Sequence, residues 1–170
     1  MLKGMVHIYT GDGKGKTTCS LGLALRASGW RKKICIIQFF KKGSYGEIKA
    51  LKKFKNILVR QFGRKGFATD SGCEKLKKYS KEALEFSRQT VSGGKFNIII
   101  LDEIITAYKL YYINLRDILE LIEKKYISTE LVLTGRGAPK QLINKADLVT
   151  EMKEIKHYYP ETKARKGIEF

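Results

Sequence analysis

Acidic side chains are scarce in this 170-residue chain: 17 Asp and Glu stand against 34 Lys and Arg, a formal charge of +17. Such a field predicts an anionic partner, whether polyphosphate, nucleic acid or a membrane surface, and does not choose among them. Cysteine is almost as sparse. Cys19, Cys35 and Cys73 are odd in number and show no CxxC spacing, which speaks against a disulfide framework and for reduced thiols in a cytoplasmic protein. Only two histidines occur, His7 and His157. Neither has neighbours with metal-ligand spacing, so both read as structural. No apolar run approaches the roughly 20 residues that a membrane span needs. The chain opens with Met1-Leu2-Lys3-Gly4 and goes straight into a strand pattern, so the expectation is no leader and no membrane. Linkers, repeats and low-complexity segments are also missing, which leaves residues 1–170 as one domain.

Hydrophobic residues make up 43% of the sequence, enough for a buried core and too many for a disordered basic tail. The charge is uneven: residues 1–85 hold 20 basic and 6 acidic groups, residues 86–170 hold 14 and 11. Apolar runs of strand length fall at Val6–Tyr9, Ile34–Phe40, Ile57–Phe62, Ile98–Leu101, Leu131–Leu133 and Leu148–Met152. Helical patterns lie between them. The first is Thr17–Ser28, stopped by Gly29, and the second runs from about Gly46 to Lys53. A third is opened by a capping box at Ser71–Glu74 and continues toward Val91. Asn114 caps Leu115–Lys124, and Pro139 starts a helix running to Lys145. Near-continuous apolar strands alternating with helices predict an α/β domain, mainly parallel sheet with helices on both faces. Phe62–Ser71 is a Gly- and charge-rich loop of the kind that is often functional, and 153–170 reads as a tail of weak periodicity.

The decisive stretch is Val6–Thr18, a strand, a glycine-rich turn and a helix start. In Gly11-Asp12-Gly13-Lys14-Gly15-Lys16-Thr17-Thr18 the glycines let backbone N–H groups curl around phosphate oxygens. The helix N-terminus adds positive potential, Lys16 a point charge, and Thr17 a hydroxyl for Mg²⁺. Thr10 stands where the usual motif has its first glycine. The second element, Ile98–Leu101 followed by Asp102-Glu103, places two carboxylates at the C-terminal edge of a parallel strand. That edge borders the ligand crevice in open α/β sheets and offers hard oxygens to Mg²⁺. The third is Leu133-Thr134-Gly135-Arg136-Gly137-Ala138-Pro139, where Arg136 either touches phosphate or packs a turn. Lys41 and Lys42 end a strand on the same side. A lysine pair there is ordinarily solvated, and Lys41 is carried forward as a candidate triphosphate contact.

Taken in order, Thr10–Thr18, Gln38–Lys41 with Gly46-Glu47, Leu101–Glu103, Thr134–Pro139, Ala146–Met152, Lys156-His157 and Ala164–Phe170 resemble the P-loop type of ATP:cob(I)alamin (corrinoid) adenosyltransferase over nearly the whole chain. The resemblance implies a single RecA-like P-loop domain. It also implies transfer of the 5′-deoxyadenosyl group of ATP to the Co(I) of a reduced corrinoid, with triphosphate released, in adenosylcobalamin biosynthesis or salvage. Carried over by position, Gly11–Thr18 cradle the triphosphate, Thr17 with Asp102 or Glu103 holds Mg²⁺, and the Phe67 region approaches the corrinoid's lower face. A homodimer and a reductase supplying electrons are the implied partners. Co(I) is already a strong nucleophile, so the chemistry asks for positioning and charge neutralisation rather than a general base. The sequence departs from common relatives in the short segment before the first strand, at Ala68-Thr69 where an aromatic is usual, and at Thr162 in place of a glycine.

Two other readings compete. A small RecA-like ATPase acting on nucleic acid would use the basic cluster Lys52, Lys53, Lys55, Arg60, Arg64 and Lys65, but basic–aromatic interleaving is lacking. The other is a non-catalytic nucleotide or corrinoid carrier.

Overall fold

A computed structural model describes residues 3–64 and 74–170. Twelve elements follow one another along these residues: β1 (Val6–Thr10), α1 (Lys16–Gly29), β2 (Ile34–Lys41), α2 (Gly46–Leu51), β3 (Ile57–Arg64), α3 (Glu74–Ser92), β4 (Ile98–Asp102), α4 (Ile104–Lys109), α5 (Leu115–Glu123), β5 (Glu130–Thr134), α6 (Lys140–Ile143) and β6 (Leu148–Glu151). The six strands form one sheet in the order β3-β2-β4-β5-β1-β6. Every pairing is parallel.

Period-2 alternation sorts the apolar strand residues onto two faces. Cys35, Ile37, Phe39, Ile99, Leu101, Leu131 and Leu133 pack with Leu76, Ala83, Leu84 and Val91 of α3 and with residues of α4 and α5. Ile34, Ile36, Ile98, Ile100 and Val132 pack on Ala24 and Ala27 of α1 and Leu51 of α2. Both faces are therefore covered, and this is the parallel α/β domain that the near-continuous apolar runs call for, consistent with a single RecA-like unit.

The elements differ from expectation in three places. Gly29 does not stop α1 by a left-handed turn. The left-handed residue is Arg31, and the Lys32 N–H reaches back to the Ala27 carbonyl at 3.2 Å. The β3 strand continues to Arg64, two residues into the expected loop. The short helix α4 was not anticipated, because six residues give too few turns for a periodic signal. In α5 the Asp117 carboxylate accepts from the Asn114 N–H at 2.8 Å, supporting the predicted start. The Ser71–Glu74 capping box, Phe67 and Ala68-Thr69 involve positions outside the described residues.

One strand breaks its alternation. Phe40 has φ 64° and packs on the same face as Phe39. Its register partner on β3 is Gly63, where a Cβ would lie 2.2 Å from the Phe40 carbonyl carbon. A left-handed bulky residue costs about 1–3 kcal/mol, and only the missing side chain of Gly63 makes room for it. The kink turns the next residue, Lys41, onto the face of α1.

Candidate functional site

At the C-terminal ends of the strands, the face covered by α1 changes from apolar to polar along one register. Gln61 of β3 sits opposite Gln38 of β2, and Gln38 opposite Asp102 of β4. Thr134 of β5 follows the Leu101–Leu133 pair at the next position. Asp102 is completely buried, and four donors surround it. Its Oδ1 accepts from the Thr17 and Thr134 hydroxyls, both at 2.8 Å; its Oδ2 accepts from Gln38 Nε2 at 3.1 Å and Lys41 Nζ at 2.9 Å. Gln61 Nε2 extends the chain by donating to Gln38 Oε1 at 2.9 Å.

Burial opposes ionisation of Asp102. The Lys41 charge and the hydrogen bonds from Lys41, Thr17 and Thr134 outweigh it and hold the carboxyl below its usual range. Burial likewise opposes the charge on Lys41, but Asp102 prevails and raises its pKa. The solvated reading thus fails for Lys41: its ammonium lies between Asp102 and the Thr17 hydroxyl, 3.3 Å from the latter.

The phosphate loop curls over the start of α1. Gly11 (φ 94°) and Gly15 (φ 120°) take conformations that favour glycine. At Gly13 the need is space: a Cβ would lie 2.7 Å from the Met152 carbonyl oxygen. The Gly13 N–H donates to that carbonyl at 2.7 Å, so this amide is committed to the chain rather than open to phosphate. Lys16 is buried with its ammonium donating to the Gly11 and Gly13 carbonyls at 2.6 and 2.7 Å. Burial lowers its pKa, and the nearby Arg136 charge adds to this. Thr18 and Asp12 are exposed on the same turn.

Arg136 joins the site from the β5 side. Its guanidinium is 3.9 Å from the Asp12 carboxylate, while its backbone N–H donates to the Thr106 hydroxyl at 3.3 Å. Glu103 adopts φ 68° between β4 and α4, its N–H donating to the Thr134 hydroxyl at 2.9 Å. Its Oε2 accepts from the Thr106 hydroxyl at 2.5 Å, leaving Oε1 uncommitted among the described residues. The Lys14 ammonium donates to the Tyr158 hydroxyl and the Glu169 carboxylate of the final segment. His7 lies 3.3 Å from Glu130, and His157 Nδ1 accepts from the Tyr159 N–H, so both histidines serve local structure.

The structure thus brings Gly11–Thr18, Lys41, Asp102, Glu103 and Arg136 to one sheet edge. The profile of the family described as ATP:corrinoid adenosyltransferase BtuR/CobO/CobP matches residues 2–170. The chain belongs to this corrinoid adenosyltransferase family. Relatives named corrinoid adenosyltransferase include one from Pseudomonas aeruginosa, 31% identical over 99% of this chain and 84% of its own length. A Sinorhizobium protein is 32% identical over 99% and 81%. The Salmonella typhimurium corrinoid adenosyltransferase CobA is 26% identical over 99% and 86%.

Site residues to which the sequence alone gave no role in this adenosyltransferase are Gln38, Gln61, Thr134, Thr106, Tyr158 and Glu169, although Gln38, Thr134 and Glu169 lie in segments that carry the resemblance. The first three were within reach of pattern reasoning. Each continues the parity of the apolar residues before it, so the polar rung follows from period 2 once the strands are in register. Among the described residues no three His, Cys, Asp or Glu side chains cluster in a way that could hold a metal. The donor set still suits a cation carried in with phosphates. The Thr17 hydroxyl donates to Asp102, so its oxygen lone pairs remain available as acceptors, and the Lys41 ammonium already donates to one. No helix among the described residues is long and apolar enough to cross a membrane.

Proposed function

We propose that this adenosyltransferase joins the C5′ carbon of ATP to the Co(I) of a reduced corrinoid and releases inorganic triphosphate. The cobalt electron pair forms the Co–C bond, and the C5′–O bond pair leaves with the triphosphate, so no proton needs to move. The chain's task is to hold a polyanion and neutralise it as it departs. Lys16 at the loop, Lys14 beside it and Arg136 from β5 supply positive charge. The backbone from Gly11 to Thr18 and the start of α1 supply N–H donors and dipole, that of Gly13 excepted. Mg²⁺ held at Thr17 and the free oxygen of Glu103, with Asp102 orienting Thr17 from behind, would add Lewis-acid stabilisation at the phosphates. The observation that carries this reading is the pairing of the Thr17 hydroxyl with buried Asp102, directly beneath a lysine-bearing phosphate loop.

The same reading includes a corrinoid approach near Phe67, a reductase as electron source and a homodimer, drawn from the family resemblance, and a cytoplasmic setting, drawn from the cysteine usage. Product analysis tests it. ATP, Mg²⁺ and chemically reduced cobalamin should give triphosphate and a light-sensitive organocobalt product in equal amounts. Release of ADP and phosphate stimulated by DNA or RNA would overturn the proposal in favour of a nucleic-acid-dependent ATPase. Binding of both substrates without turnover would make the chain a carrier.

A further inference from the structure

Residues 153–170 contain no helix or strand, yet they are fastened to the site. They leave β6 alongside the phosphate loop, where the Met152 N–H donates to the Thr10 carbonyl at 2.9 Å and the Gly13 N–H to the Met152 carbonyl. Farther on, a compact turn forms. The Glu169 N–H donates to the Arg165 carbonyl at 2.9 Å and the Gly167 N–H to the Phe170 carbonyl at 2.7 Å. Phe170 then lies against Gly46, the first residue of α2. The segment crosses the C-terminal edge of the sheet from the β6 side to α2.

Glu169 is the hub of this segment. Its Oε1 accepts from Lys14 Nζ at 2.6 Å and from the Tyr158 hydroxyl, and its Oε2 accepts from the Arg165 backbone N–H at 2.7 Å. The Tyr158 hydroxyl in turn accepts from Lys14 at 2.7 Å. The Arg165 guanidinium stacks over the Tyr158 ring at 4.9 Å and lies 3.4 Å from Glu169. A lysine side chain is rich in rotamers, and a solvated ammonium on a loop is free to wander. Here two of its three N–H groups are committed to residues 158 and 169, which fixes its direction and leaves one donor. One carboxylate between Lys14 and Arg165 leaves the cluster with surplus positive charge, so it still attracts a polyanion.

We infer that Glu169, with Tyr158, is a positioning residue that holds the phosphate-loop Lys14 in the geometry that receives the triphosphate of ATP. This rests on the reading of Gly11–Thr18 as the triphosphate loop. Glu169 touches no reacting atom and acts through Lys14, which sets the test. Titration calorimetry with Mg-ATP and with inorganic triphosphate compares the unaltered chain, Glu169→Ala, Lys14→Ala and the double variant, alongside steady-state kinetics.

Glu169→Ala should weaken binding of both ligands about tenfold. It should raise the ATP KM by a similar factor and leave kcat within about twofold. On the Lys14→Ala background the same change should do nothing further. Tyr158→Phe, which keeps the ring under Arg165, should show a smaller loss of the same kind. Three results would overturn the inference: unchanged affinity, tighter binding (which would make Glu169 a competitor for Lys14), or an equal loss with and without Lys14. If the unaltered chain bound neither ligand, the loop assignment itself would fall. Normal binding by the unaltered chain with indifferent variants would remove only the role of Glu169.

Discussion

Two lysine–carboxylate pairs flank the phosphate loop, and their surroundings are opposite. Lys41–Asp102, at 2.9 Å, has a carboxylate with no exposure at all; Lys14–Glu169, at 2.6 Å, is solvent-facing on the lysine side. In water the second adds little to stability, because screening and side-chain entropy consume the attraction. The first cannot be broken cheaply, since removing one partner strands a charge out of water. The shorter contact is therefore the weaker prop of the fold. What it offers is exchangeability, for an exposed lysine can share itself with a ligand. The inner pair holds Thr17 in place, and the outer pair holds a ligand-facing side chain in readiness.

Variants can break or sharpen this contrast. Lys16→Ala, between the two pairs, should abolish ATP-dependent transfer while circular dichroism shows an intact fold; retained activity would remove the loop from the mechanism. Asp102→Ala should cost about 3 kcal/mol in urea unfolding by stranding Lys41. A loss under about 1 kcal/mol would show that the inner pair behaves like the outer one. Gly63→Ala should cost about 1–3 kcal/mol, because its new methyl group meets the Phe40 backbone. It should also weaken Mg²⁺-dependent ATP binding by displacing Lys41.

The pH dependence has a definite sign. Asp102 is held below its usual range, so its contribution is present above about pH 4 and is lost as acid carries the pH through its lowered value. Lys41 is raised, so its contribution is present below about pH 10.4 and is lost as the pH climbs through its folded value. Urea midpoints for the unaltered chain and Asp102→Asn should differ most between these limits and converge toward strong acid. The smallest effect is expected of Glu169→Gln, whose urea midpoint should be indistinguishable from that of the unaltered chain. A larger shift would mean that residues 153–170 brace the domain.

The sequence made the sheet, its helices and the loop legible because each rests on local periodicity or on glycines at fixed spacing. Asp102 and Thr17 were visible for the same reason. Lys41 was visible only as a lysine at a strand end, and straight alternation would have sent it to the other face. The roles of Tyr158 and Glu169 were hidden, although Glu169 lies in a segment that carries the resemblance, because they depend on a return of the chain over more than 140 residues to Lys14. No window of composition records such a return. Helix α4 escaped because six residues carry too little pattern, although the glycines at 135 and 137 exist to pass its first turn and Lys109.

Gly63 leaves one further consequence. It bears no functional group and approaches no phosphate, yet a hydrogen atom in place of a methyl group there decides which way a lysine on the neighbouring strand faces. The specification of Lys41 is thus written in two strands at once. Transplanting β2 with its loop into another parallel sheet would carry the lysine across and leave its orientation behind.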